Sequence, residues 1–236
     1  MSPEPVTTAQ GDERRREILR HAVDVFGEAG FGGARIDEVA ERVGIRRPSV
    51  LYHFPDKRSL YKAAMGDLLA DIVARVTATE SDDRDRLEAI TDAWIDFVLA
   101  RPNGARVLLR QMIDAEPIPM PELGAAVQIV LTVIQASIED RMGSDGGKAV
   151  DVTEFVLILS STSLVWVTSR SAIEGAFGLD TLSAPSIQRH RRILHALTNQ
   201  LLTATTDAVP RTAERGAAPR AGKKVPSPRG IRRAKR

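Results

Sequence analysis

The chain has 236 residues, is 43% hydrophobic and 27% charged, and carries a net charge of +2. That length allows one large domain or two small ones, with a core that needs no covalent staples. It contains no cysteine, which excludes a disulfide framework, thiolate zinc sites, iron–sulfur clusters and a cysteine nucleophile.

The near-neutral total hides an asymmetry. Residues 208–236 hold ten Lys or Arg and one acid, Glu214, whereas the rest holds 23 basic and 30 acidic residues. The tail has little that is large and apolar beyond Val225 and Ile231, so it is expected to be disordered and able to touch polyanions. A solubilising terminus, or one folded back on the acidic body, fits the same composition. Residues 1–12 are polar and proline-bearing, and are expected to be disordered too. They lack the charged-then-apolar pattern of a secretory leader. The longest apolar run, Phe155 to Val167, has 13 residues, short of the about 20 needed to span a membrane. A cytoplasmic protein without a membrane partner is expected.

From Glu13 the period is helical: Ile18, Leu19, Ala22, Val23, Phe26 and Ala29 share one face, and Gly30 with Gly32-Gly33 ends it. Ile36, Val39, Ala40 and Val43 form a short second stripe, followed by Gly44, suited to a left-handed cap. Pro48 opens a third short helix through Phe54, and Pro55-Asp56 breaks it and caps the next. Leu60, Tyr61, Ala64, Leu68, Ile72 and Val76 mark a long fourth helix. After Ser81-Asp82-Asp83, read as a cap, Leu87, Ile90, Trp94, Phe97 and Val98 mark a fifth, with Asp92 and Asp96 on a solvated face. Arg101-Pro102-Asn103-Gly104 stops it. Val107, Leu108, Met112 and Ile113 form a sixth, and Pro117, Pro119 and Pro121 make a rigid connection. Glu122–Arg141 is the seventh, with Val127, Val130, Leu131, Ile134 and Ile138 as its stripe, then a loop at Gly143–Gly147. Asp151–Phe177 is read as one eighth helix and Ser183–Ala208 as a ninth. No strand period, βαβ unit or fixed-length repeat is visible. The fold class is all-α: about nine helices, an N-terminal three-helix helix-turn-helix domain (13–58), a larger helical effector-binding and dimerisation domain (59–207), and the basic tail (208–236).

Function concentrates in residues 14–62. Two short helices joined through Gly44-Ile45-Arg46 have the spacing of a helix-turn-helix, whose second helix enters the DNA major groove. The second helix would present Arg46, Arg47 and Ser49 near its N-terminus, and arginine can fork onto guanine or phosphate. Pro48 and Tyr52 offer apolar contacts to bases, while Tyr52, His53 and Lys57 carry donors for phosphates. An amphipathic hairpin packed in a core would have the same spacing. Residues 1–62 hold 11 basic and 10 acidic side chains, so a phosphate grip requires Arg35, Arg46, Arg47, Lys57 and Arg58 to cluster while Glu38 and Glu41 point elsewhere.

The string Ala22-Val23-Asp24-Val25-Phe26-Gly27-Glu28-Ala29-Gly30-Phe31, then Ile36 through Ile45, Pro48, Tyr52-His53-Phe54-Pro55-Asp56-Lys57 and Leu60-Tyr61, resembles the N-terminal domain of the TetR family of transcriptional regulators. The resemblance implies an all-α homodimer. Its N-terminal domain would bind a palindromic operator, and its C-terminal domain would bind a small molecule and dimerise through the last two helices. Most members are repressors released by their ligand. By position, the recognition helix is Arg47–Phe54, with Arg47, Pro48, Ser49, Tyr52 and His53 toward DNA and Lys57 on phosphate. Three positions depart from the family: Arg46 where Ser or Thr is frequent, Arg35-Ile36 where Thr often starts the second helix, and Leu51 at the usual aromatic position. Arg35 is a substitute phosphate contact.

In the larger domain, helices five to seven are expected to enclose the effector. Trp94, Phe97, Met112, Ile129, Val133 and Trp166 are its candidate lining, with Thr162 or Ser163 as polar contacts. The same residues also fit a plain core. Such a pocket favours an apolar or amphipathic effector. The eighth helix is apolar nearly all round, which calls for a second partner. With Ile187, Ile193, Leu194, Leu197, Leu201 and Leu202 of the ninth it could form a four-helix dimer interface, although a buried central helix in a monomer has the same pattern. No glycine-flanked serine elbow, phosphate loop or carboxylate–histidine motif is present. No catalytic residue, metal site or cofactor is expected, and an enzyme is not. A helical DNA-binding protein of low sequence specificity, dominated by the basic tail, is the other reading.

Overall fold

The computed structural model describes residues 9–79, 86–114, 118–147 and 150–208. The expected Asp82-Asp83 cap, Pro117 and nearly all of the basic tail lie outside these residues. Ten helices and no strand occur among the described residues: α1 (Ala9–Gly33), α2 (Ile36–Val43), α3 (Arg47–His53), α4 (Lys57–Thr77), α5 (Arg86–Ala100), α6 (Pro102–Ile113), α7 (Pro121–Gly147), α8 (Val152–Thr168), α9 (Arg170–Phe177) and α10 (Ala184–Ala208).

Helix α1 starts four residues before the expected Glu13, breaks at Gly30 (φ 69°, ψ 172°) and runs a last turn to Gly33. Its face Ile18, Leu19, Ala22, Val23, Val25 and Phe26 is buried, whereas Ala29, expected on it, is exposed. The short α2 buries Val39, Ala40 and Val43, and Gly44 (φ 74°, ψ 29°) turns its N–H back onto Ala40 O and Glu41 O. Of α3 only Val50 is buried. Asp56 then caps α4, accepting from the Ser59 N–H at 2.7 Å while the Ser59 hydroxyl accepts from the Asp56 N–H.

Helix α4 joins both halves of the molecule, packing on α1 and on α5, α6 and α7. The other bridge is α6 against α1. There α1 passes so close that a Cβ on Gly27 would lie 2.5 Å from Asn103 O, and Asn103 Nδ2 donates to Asp24 at 3.0 Å. The expected stop at 101–104 is shorter: Pro102 is already in the first turn of α6, where its missing N–H costs no helical bond.

The expected single helix over 151–177 is two helices bent by 74°. At Ser169 the backbone leaves the helix (φ −96°, ψ 18°). The bend is tied by Trp166 Nε1 donating to Thr181 O at 3.1 Å and by Arg170 pairing with Asp180 at 3.1 Å. Those partners lie ten or more residues along the chain, so helical periodicity does not reveal them. The expected loop at Gly143–Gly147 is a further helical turn beyond a break at Gly143 (φ 75°). Asp92 and Asp96, expected on a solvated face, both pair with Arg191, which docks α10 on α5.

By length and composition alone, Pro121–Gly143 of α7 could cross a membrane. The sequence reading missed this because Gln128, Thr132, Gln135 and Ser137 interrupt the apolar run, yet all are uncharged. In the fold, α7 packs on α4, α5 and α8.

Candidate DNA interface and effector cavity

Two short helices held by one glycine put the candidate DNA-contacting side chains at the surface. Arg46, Arg47, Pro48 and Ser49 are exposed around the N-terminus of α3, and Tyr52 is 86% exposed. His53 is half-buried, its ring edge-on to Tyr52 at 5.4 Å. Arg46 occupies the N-cap of α3 and makes no side-chain cap bond, as expected of a donor-only guanidinium. Arg35 and Arg47 come together through Asp37, which lies 3.9 Å and 3.5 Å from them. All three are largely solvated, so the pairs are weak and phosphate can compete for both guanidinium groups.

Lys57 is differently placed from its expected role. Its ammonium donates to Gly32 O and Ala34 O, both at 3.1 Å, and lies 4.8 Å from the Phe31 ring centroid. Two of its three donors therefore close the end of α1, and one is left for phosphate. Sequence reasoning missed Arg42, which forks onto Glu28 of α1 (3.0 and 2.6 Å) and also donates to Glu38 (2.7 Å). The Arg42 hydrogen bonds hold the Glu28 carboxyl below its ordinary value, and the same contacts raise Arg42. This clasp fixes α2 on α1 and occupies Glu28 and Glu38, which answers part of the charge objection at this face. Arg15 lies 5.1 Å from the Phe54 ring, tying α1 to the end of α3.

The larger half holds a cavity of about 350 Å³ among α4, α5, α6, α7 and α8. Its wall includes Leu69, Ile72 and Val76 of α4, Leu87, Ile90, Thr91 and Trp94 of α5, and Leu108, Gln111 and Met112 of α6. Leu123, Ala126, Val127, Val130, Leu131 and Ile134 of α7 face residues between Thr153 and Leu164 of α8. No lining side chain is charged. Thr91 and Ser160 direct their hydroxyls to carbonyls of their own helices. Gln111 instead reaches across: Tyr61 Oη donates to its Oε1 at 3.1 Å, and its Nε2 donates to Ile118 O at 2.8 Å. Burial pushes the Tyr61 phenol up to about 12, with the Asp114 charge adding to it.

Of the expected effector contacts, Trp94 and Met112 line this cavity. Phe97 is fully buried behind Trp94, centroids 5.7 Å apart. Ile129 is exposed, Val133 is half-buried, and neither reaches the cavity. Thr162 is exposed and bonds Ile158 O. Ser163 and Trp166 border a separate void of about 10 Å³, room for one water. There Trp166 stacks on His190 at 4.5 Å. Periodicity separates inward from outward positions but does not tell a cavity wall from a filled core. Gln111 had one usable sequence signal: an amide four residues after Val107 on the buried stripe of α6. Among the described residues no group of three or more His, Asp or Glu is placed to hold a metal.

Residues 18–64 match the family model described as bacterial regulatory proteins, tetR family. The chain is 31% identical over 139 residues to the HTH-type transcriptional activator FasR of Mycolicibacterium smegmatis, an alignment covering 58% of this chain and 62% of FasR. The match thus spans less than two thirds of FasR. Among solved structures, a TetR-like transcriptional regulator from Rhodococcus sp. RHA1 matches with a TM-score of 0.60 at 17% identity, covering 86% of this chain and 99% of that one. FadR from Bacillus subtilis, in complex with stearoyl-CoA, matches with a TM-score of 0.57 at 14% identity, over 83% and 99% of the two chains. At these identities the two structures speak for the fold alone. Together with the helix-turn-helix geometry of α2, Gly44 and α3, the match identifies residues 18–64 as a DNA-binding domain of the tetR family of bacterial regulatory proteins.

Proposed function

We propose that the chain is a ligand-responsive repressor that binds a palindromic operator as a homodimer in the cytoplasm and is released when a small apolar or amphipathic molecule fills the cavity. The observation that carries this reading is the pairing of an exposed recognition helix with an uncharged, mostly apolar cavity, joined through α4 and α6. The uncharged, mostly apolar lining supports a lipid-like effector. The DNA contacts are Arg35, Arg46, Arg47, Pro48, Ser49, Tyr52 and His53, with the remaining donor of Lys57 on phosphate.

The dimer forms through α8 and α10, the counterparts of the expected eighth and ninth helices. Val165 and Ile193 are 48% and 55% exposed. Leu197 and Leu201 are half-buried, and Ser161 and Thr162 add small exposed positions. An apolar face of this kind is stabilised by a second copy. Two-fold symmetry then sets the recognition helices about one DNA turn apart, roughly 34–36 Å. An effector changes operator affinity only insofar as it binds one helix spacing better than another.

The test is selection of duplexes from a random pool by the full chain, followed by titration across a salt series. Enrichment of a palindrome, bound by a dimer and surviving moderate salt, is expected. Equal, steeply salt-dependent binding of all duplexes, abolished by deleting residues 208–236, would replace this reading with low-specificity binding through the basic tail.

A further inference from the structure

Gln111 stands apart from the rest of the cavity wall. The lining is otherwise aliphatic, aromatic or hydroxyl-bearing, and the Thr91 and Ser160 hydroxyls bond carbonyls of their own helices. The Gln111 amide instead ties two separate parts of the molecule, accepting from Tyr61 Oη of α4 and donating to Ile118 O in the connection leading to α7.

Tyr61 is 5% exposed, and its ring stands edge-on to Phe26 and Phe31 of α1, at 5.0 and 5.3 Å. The Phe31 ring in turn lies under the Lys57 ammonium, which holds Gly32 O and Ala34 O just before α2. One continuous set of contacts therefore runs from the cavity wall to the segment that positions the helix-turn-helix.

We propose that Gln111 is the polar contact for an effector with an apolar body and one uncharged hydrogen-bonding group, and that its withdrawal from Tyr61 carries cavity occupancy to the DNA-binding helices. The proposal rests on the reading of the cavity as the effector site. A charged group inside would lose its hydration with no counter-charge in the wall. A purely apolar molecule would fill the space but give Gln111 no reason to leave Tyr61. A hydroxyl or neutral carbonyl on the ligand can take over the amide. The buried Tyr61 O–H is then left without its acceptor, a state favoured only if the ring shifts to find another. Because Tyr61 packs edge-on to two rings of α1, such a shift disturbs α1 relative to α6.

The experiment uses the full chain and its selected duplex, with 1-decanol as probe. Decanol binding is followed by tryptophan fluorescence, since Trp94 lines the cavity, and duplex binding by anisotropy with and without decanol. In the wild type, decanol should bind and weaken duplex binding by about fivefold or more. Tyr61→Phe should bind decanol and, without decanol, the duplex within about threefold of wild type, yet lose most of the decanol effect on DNA. Gln111→Met, similar in volume, should weaken decanol binding by about tenfold. A wild type that couples, with both variants coupling equally well, overturns the role of Gln111 and leaves the cavity reading intact. A wild type that neither binds decanol nor responds to it overturns the cavity reading, and this proposal with it.

Discussion

Gly27→Ala should destabilise the protein even though it places a better helix former in a helix. Gly27 is buried in α1, and a Cβ there would meet Asn103 O at 2.5 Å, Asn103 Cβ at 2.8 Å and Asn103 Cα at 2.9 Å. Two of these three atoms belong to the backbone and cannot swing aside, so α1 and α6 must separate by a sizeable fraction of an ångström. Overpacking of this kind costs about 1–3 kcal/mol, against a helix gain for alanine of about 0.5–1 kcal/mol. The net loss is up to about 2.5 kcal/mol, and each kcal/mol shifts Tm by about 2–4 °C at this chain length. Gly66→Ala in α4 is the matched control: nothing lies within 4 Å of its added Cβ, so only the helix gain remains and Tm should rise. Thermal unfolding of the full chain, followed by circular dichroism, reads both. If Gly27→Ala raises Tm as Gly66→Ala does, the close approach of α1 and α6 is not as described. Because α1 packs against α2 of the helix-turn-helix and α6 walls the cavity, Gly27→Ala should also lower duplex affinity, whereas Gly66→Ala should not.

Arg47→Ala should weaken selected-duplex binding by about 1–3 kcal/mol if the guanidinium reads a base; since Arg47 is exposed, Tm should hold, and a fall in Tm would show a structural role instead. Asp37→Asn removes the carboxylate beside Arg35 and Arg47, so duplex binding should tighten a few-fold at low salt and converge with wild type at high salt; unchanged low-salt affinity would refute competition by Asp37. Burial holds the His190 imidazole below its ordinary value of 6.5. The unfolded chain therefore takes up a proton first as pH falls, so this stabilising contribution is complete above about pH 6.5 and declines below it. His190→Phe, which keeps a ring against Trp166, should flatten that decline in denaturant midpoints between pH 7 and 5, and an unchanged slope would assign it to other groups.

Much of the architecture was legible in the chain because helical periodicity is local. Residues three and four apart share a face whatever surrounds them, so the stripes of α1 through α6 and the Gly44 turn could be read directly. The exposure of the candidate DNA-contacting residues was legible for a related reason: a short helix that buries only Val50 must leave most of its polar side chains at the surface. Lys57 was not fully legible, since its carbonyl partners belong to the turn ending α1, more than twenty residues earlier.

What the tertiary structure alone decided are matters of distance between segments far apart in sequence. The run 151–177 has no internal mark strong enough to show a 74° bend; it is fixed by Thr181 and Asp180 from beyond the run. Phe97 and Trp94 have the same helical pattern, yet one is filled core and the other cavity wall, because the choice depends on where α7 and α8 stand. Tyr61 and Gln111 are fifty residues apart, and their pairing exists only because α4 and α6 cross there. The sequence by itself determined helices, faces and the DNA-reading motif, since these follow from short-range periodicity and side-chain chemistry. The cavity, the Tyr61–Gln111 bond at its wall and the ring contacts from Tyr61 to α1 were decided by packing, because an empty space and a long-range hydrogen bond have no local pattern.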